Sequence, residues 1–216
     1  MRLFYLMRFA NLMANSAPNG SRSFLADQTT SSILRTLIPH LGGKVITNVI
    51  IPTKDNKYIQ IGHIYLTTHG IFLIESKNIG GKVLGSDNDE HWVLYFPNNP
   101  NDRYQVVNAV KQNQERINAL ERLLGIEDEI YNIVTFVKAD VRDIHSDHVY
   151  YPFDMKKVIY STKDDVMYTE QEIEEMYNTI LDIKKNPILS YEQYVDMLGN
   201  IEIKDHHKKR EILKLS

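Results

Sequence analysis

Gln60-Ile61-Gly62-His63-Ile64-Tyr65-Leu66-Thr67-Thr68-His69-Gly70-Ile71-Phe72-Leu73-Ile74-Glu75-Ser76-Lys77-Asn78 decides how the chain folds. Two β-branched and aromatic runs flank a short connection ending in Gly70, which predicts a hairpin. With Leu66 opposite Ile71, the register puts Gly62 opposite Glu75 and Gln60 opposite Lys77. Residues so opposed share a sheet face, with Cβ atoms about 4.5–5.5 Å apart. Because side chains alternate with period two, Glu75 and Lys77 also share that face. Ile61, His63, Tyr65, Phe72, Ile74 and Ser76 take the other. A carboxylate and an ammonium inside apolar strands are costly unless paired or exposed. A structural salt bridge, a solvent-facing edge and a chemical site all account for them.

Upstream, Asp27 precedes Ile33, Leu34, Leu37, Ile38 and Leu41 at helical spacing, stopped by Pro39 and Gly42-Gly43. Residues 44–52 read as a strand, as do shorter runs at 83–84 and 91–96. Residues 96–103 read as a loop. Val107, Val110, Ile117, Leu120 and Leu124 predict a helix over 104–124, closed by Gly125. Strands are expected at 130–141 and 156–162. Thr169 and Glu172 form a capping-box pattern opening a helix, and a second short helix follows Pro187. The order predicts an α/β fold, a mixed central sheet flanked by helices with extra helices at the C-terminus.

The chain has 216 residues, enough for one domain with appendages. The expected division is an arm and linker over 1–24, a core over 25–165, and a helical extension with a charged tail over 166–216. A net charge of -3 excludes a protein-wide basic field, so nucleic-acid contact must be local. With no cysteine, disulfides, thiolate nucleophiles and cysteine-bound zinc are excluded, which suits a reducing, cytoplasmic setting. The N-terminal apolar stretches are shorter than the roughly 20 residues a bilayer span needs. Arg8 also interrupts any signal-peptide pattern; the segment reads as an arm that packs on the core or on a partner, with a membrane-surface anchor as the alternative.

The segment 60–83 resembles the signature of the nuclease-related domain, NERD, a branch of the PD-(D/E)xK nucleases with a restriction-endonuclease-like core. The matching elements are Gln60-Ile61-Gly62-His63, Gly70, Ile71-Phe72-Leu73-Ile74, Glu75-Ser76-Lys77-Asn78 and Gly80. A second block, Asn108-Ala109-Val110-Lys111-Gln112-Asn113, and Trp92 extend the likeness, which covers residues 27–160. The resemblance implies metal-dependent hydrolysis of DNA, or of RNA, using Mg²⁺ or Mn²⁺. It makes Glu75 a metal ligand, with the Ser76 backbone carbonyl beside it, and Lys77 the catalytic lysine. Gln112 would orient water or phosphate, and Gln60 would support Lys77.

One position departs from that pattern. The family motif has Asp where this chain has Gly62. Hard cations are usually held by one or two carboxylates plus phosphate and water, so losing one weakens the site. Engineered inactivation, natural loss of catalysis, and a ligand supplied from elsewhere all account for it. Asp27 is the nearest match to the family's helix carboxylate, and reads as a helix N-cap or a displaced ligand. The expected function is an impaired nuclease. The alternative is a non-catalytic module binding nucleic acid or protein; a third reading is a partner-recognition protein that self-associates through the N-terminal arm and C-terminal helices.

Other polar groups have plainer readings. His63 lies on the face away from Glu75 and reads as a core histidine. His145 and His148 fall in a polar loop. Lys111 and Arg116 are either ordinary exposed helix charges or groove-lining ones, and Tyr168, Tyr177, Tyr191 and Tyr194 read as helix-packing residues.

Overall fold

The computed structural model describes residues 21–198 except Asn56, Asp128 and Tyr191; the N-terminal arm, most of the linker and the charged tail lie outside these. Helix α1 (Ser21–Leu41) leads into β1 (Lys44–Pro52), β2 (Tyr58–Thr67), β3 (Gly70–Lys77), β4 (Lys82–Ser86), β5 (His91–Phe96) and β6 (Asn99–Val107). Then come α2 (Ala109–Leu124), β7 (Ile130–Phe136), β8 (Asp140–His145), β9 (Val149–Tyr150), α3 (Pro152–Ser161) and α4 (Glu170–Lys185). Residues 192–198 are again helical.

The strands form two mixed sheets, ordered β1-β2-β3-β7-β9 and β6-β5-β4-β8. β2 and β3 are antiparallel with Leu66 opposite Ile71, the register expected from the turn, while β3 and β7 run parallel. Parallel neighbours need a crossover, and α2 lies within it.

Each face of the first sheet is covered. Ile64, Leu66, Ile71 and Leu73 pack against Ile117 and Leu120 of α2 and Ile173 and Ile180 of α4. On the reverse face Tyr65, Phe72 and Ile74 meet Leu34, Leu37 and Leu41 of α1 with Met155 and Ile159 of α3. Ile61, expected beside Tyr65, instead joins the α2 and α4 cluster. The second sheet packs Val83, Trp92 and Leu94 against Phe136, Val141 and Ile144. Gly85 makes this possible. A Cβ there, at φ +155, would lie 2.1 Å from Trp92 Cδ1, so only glycine lets the indole cross β4.

Four expectations need correction. Residues 104–107 belong to β6, not to a helix: Asn108 caps α2, its side chain accepting from the Val110 and Lys111 N–H groups. Residues 99–103, expected as a loop, belong to β6, which meets β5 through Arg103 opposite Tyr95 and Asn99 opposite Phe96. Residues 156–161 are helical because Pro152 opens α3 and Met155 and Ile159 face α1 four residues apart. The strand expected over 130–141 divides, and β8 continues through the polar segment to His145, burying Val141 and Ile144.

The extension beyond residue 165 docks on the sheet. The Met167 and Tyr168 N–H groups donate to the Thr68 carbonyl at the hairpin turn, at 2.8 and 3.1 Å. α4 opens with the expected capping box of Thr169 and Glu172.

Candidate functional site

The site lies where β2 and β3 separate. Their pairing runs from the turn to His63 opposite Ile74 and stops there. Beyond it, the Gly62 backbone lies under the Glu75 carboxylate: a Cβ on Gly62 would be 3.8 Å from Glu75 Oε2 and 3.5 Å from the Ile74 carbonyl. Across β1 the residue facing Gly62 is Asn48, with a left-handed φ of 52° between two regular pairs.

On this face Lys77 Nζ lies 2.7 Å from Glu75 Oε1 and donates to Gln112 Oε1 at 3.1 Å. Arg116, one turn after Gln112 on α2, ties the fork together. Its Nε donates to the Gln60 carbonyl at 2.8 Å and its Nη1 to the Gln112 carbonyl at 3.0 Å, with Nη2 4.0 Å from Glu75. The Gln60 N–H donates to the Tyr194 hydroxyl at 3.2 Å. Gln60 thus meets the site through its main chain, and its side-chain amide reaches Asn48 Oδ1 at 3.4 Å. Glu75, Lys77 and Arg116 keep 15, 17 and 12% side-chain exposure, so the fork is mostly buried with its edge in solvent.

Electrostatics hold Glu75 ionised. Burial alone would raise its pKa, but the charge of Lys77, then Arg116, and the Lys77 hydrogen bond bring it down to about 2.

His63 is on the opposite face, as expected, buried and sharing a 2.8 Å hydrogen bond with Ser31 Oγ. Burial lowers its pKa to about 4, although the Glu75 charge and the Asp27 backbone carbonyl both favour the proton. A folded pKa below the unfolded 6.5 means that the unfolded chain binds the proton first. Stability is therefore lost as pH falls from about 6.5 to about 4, by about 3 kcal/mol in all. Between pH 7 and pH 5 we expect a loss of about 2 kcal/mol in urea denaturation that His63→Gln does not share. Parallel curves for the two proteins would refute the assignment.

Ser76 Oγ is also on the reverse face, 2.6 Å from Thr30 Oγ1 of α1. Asp27 lies inside α1, in its second turn, because the helix is already formed at Ser21; the N-cap reading is corrected. Its main chain faces His63. Lys111 points away from the recess to Glu90. Among the described residues no three His, Asp or Glu side chains converge as a metal-holding group. Glu75, the carboxylate in the fork, is already held by Lys77. This donor set does not fit a divalent cation well.

Three contributors were not visible as such in the sequence. Arg116 reads as either an ordinary exposed helix charge or a groove-lining one, although its i+4 spacing from Gln112 carries the signal. Tyr194 is far away in the chain, and nothing local marked it. Asn113 sits fully buried behind Gln112, its amide donating to the Leu73 and Ile133 carbonyls at 3.1 and 3.3 Å and to Asn132 Oδ1 at 2.8 Å. It locks α2 to β3 and β7, and so fixes where Gln112 and Arg116 project.

A mixed sheet with a Glu-x-Lys fork facing a Gln-bearing helix defines a nuclease-related α/β domain. The profile of the nuclease-related domain, NERD, matches residues 22–137, more than half of the chain, and the chain belongs to that family. It is similar to an uncharacterized protein of Bacillus anthracis, 31% identical over 142 residues. The match covers 63% of this chain and 65% of that protein, less than two thirds of its length. No solved structure matches. No helix among the described residues is long and apolar enough to cross a membrane.

Proposed function

We propose that this chain engages DNA through its recess and that its ancestral reaction, phosphodiester hydrolysis, is impaired at position 62. The observation that carries the reading is the meeting of Glu75, Lys77 and Gln112 within 2.7–3.1 Å over a glycine backbone. Lys77 offsets phosphate charge, Gln112 holds the ammonium, and Arg116 ties the helix that carries Gln112 to β2 through the Gln60 carbonyl. With one carboxylate in the fork, affinity for Mg²⁺ or Mn²⁺ is weak. The pairing of Glu75 with cations also favours a second reading, a binding module without turnover. The cytoplasm, and self-association through the chain ends, belong to the same proposal; RNA is the alternative substrate.

The test is a plasmid assay with the full chain in Mg²⁺ or Mn²⁺, alongside a gel shift over a salt series. We expect a shift that weakens as salt rises, with nicking near background. Strong nicking abolished by Glu75→Gln would show that another ligand replaces the motif carboxylate. No shift at any salt concentration would defeat the nucleic-acid reading.

A further inference from the structure

The charge balance of the recess runs against a cation. Glu75 contributes one negative charge, while Lys77 Nζ at 2.7 Å and Arg116 Nη2 at 4.0 Å contribute two positive ones. The nearby imidazole of His63, buried on the reverse face, adds none at neutral pH. The sum is one positive charge in a half-buried fork, where the effective dielectric makes charge count for more than in water. A dication entering it meets net repulsion, and an anion meets attraction.

The fork also has donors to spare. An ammonium has three N–H groups, and Lys77 directs two of them to Glu75 and Gln112. Arg116 spends Nε and one Nη1 hydrogen on carbonyls, while Nη2 stays beyond hydrogen-bond distance of Glu75. The Tyr194 hydroxyl accepts from Gln60 and retains its own hydrogen to donate. Its ring is buried, so the hydroxyl is fixed in place. Tyr194 belongs to the extension, well past the family segment that ends at residue 137. The C-terminal helix thus brings a neutral donor to the Gln60 main chain, whose carbonyl Arg116 holds beside the fork.

We propose that the recess is a metal-independent phosphate seat in which Lys77 Nζ, Arg116 Nη2 and the Tyr194 hydroxyl hold a non-bridging oxygen of a DNA phosphate. It rests on the nucleic-acid reading above and adds Tyr194 as a binding residue. The loss of the motif carboxylate has then changed the preference of the site from cation to anion. Restoring a carboxylate at position 62 would cancel the surplus charge, so Gly62→Asp loses the seat in the absence of metal.

The experiment uses the full chain in EDTA with two probes, inorganic phosphate by calorimetry and a labelled DNA duplex by fluorescence anisotropy. Phosphate binds and displaces the duplex. Tyr194→Phe and Arg116→Lys each weaken phosphate about tenfold, the worth of one charge-assisted hydrogen bond. Circular dichroism melts confirm that each variant is folded, and Tyr194→Phe alone suffices if the arginine variant is not. Phosphate binding that needs added Mg²⁺, or that neither variant alters, overturns the proposal. Duplex binding in EDTA that phosphate does not displace also overturns it, while leaving the nucleic-acid reading standing. Phosphate binding without duplex binding sustains the seat and removes that reading instead.

Discussion

Gly62→Asp is expected to bind Mn²⁺ measurably and to nick plasmid DNA about 100-fold faster than the native chain. The backbone allows it: Gly62 is not among the positive-φ glycines, and a Cβ there meets its nearest neighbours at 3.5 and 3.8 Å, ordinary contact distances. Replacing a strand glycine also removes about 0.5–1 kcal/mol of entropic cost. The new carboxylate starts beside Glu75 Oε2, and the pair would then balance Lys77 and Arg116. Two carboxylates suit a hard dication, which would relieve their mutual repulsion. Lewis-acid stabilisation of phosphate charge is worth several kcal/mol, and each 1.36 kcal/mol is about tenfold in rate. Mn²⁺ at about 100 times its dissociation constant should add about 2.7 kcal/mol to the stability of Gly62→Asp and little to the native chain. Lys77→Ala in the Gly62→Asp background should return nicking to background. Metal binding without cleavage would make the recess a cation site only, and absence of both would refute the geometric argument.

The hairpin is legible in the sequence because its information is local. A turn ending in Gly70 sets the register, and continuing it one step past the last pair, His63 with Ile74, brings Glu75 over Gly62. Gln112 is legible only through the family likeness, since its approach to Lys77 depends on a crossover helix packing back on the sheet. Arg116 and Tyr194 are harder still. Each meets a main-chain group of Gln60, and main-chain partners leave no trace in residue type. The errors follow the same logic. Val158-Ile159-Tyr160 has β propensity, yet Ile159 is held in a helix by its contact with α1, a tertiary preference that overrides the local one. Val107 also fits the helical stripe of Val110, Ile117 and Leu120, but pairing with β5 claims residues 104–107 as strand.

Asn113→Asp should destabilise the fold by about 4 kcal/mol at pH 7, more than the roughly 2 kcal/mol expected for Asn113→Ala. The Asn113 amide is fully buried and faces only acceptors: two carbonyls and Asn132 Oδ1. Asn132 cannot simply turn to help, because its own amide is committed to the Val110 carbonyl and Gln114 Oε1. An ionised carboxylate there would have no donor and no counter-charge. Alanine loses the bonds but buries no charge. The two mechanisms separate with pH. In the folded variant the new carboxyl would hold its proton well above the unfolded value of about 3.9, so its penalty is absent below that value and grows as pH rises. Measured against the native chain at each pH, the deficit of Asn113→Asp should shrink from pH 7 towards pH 4, while that of Asn113→Ala stays level. A constant deficit for both would mean that the amide acts through shape alone. Because α2 carries Gln112 and Arg116, any loosening there should also weaken phosphate binding at the recess, linking this buried contact to the chemistry in front of it.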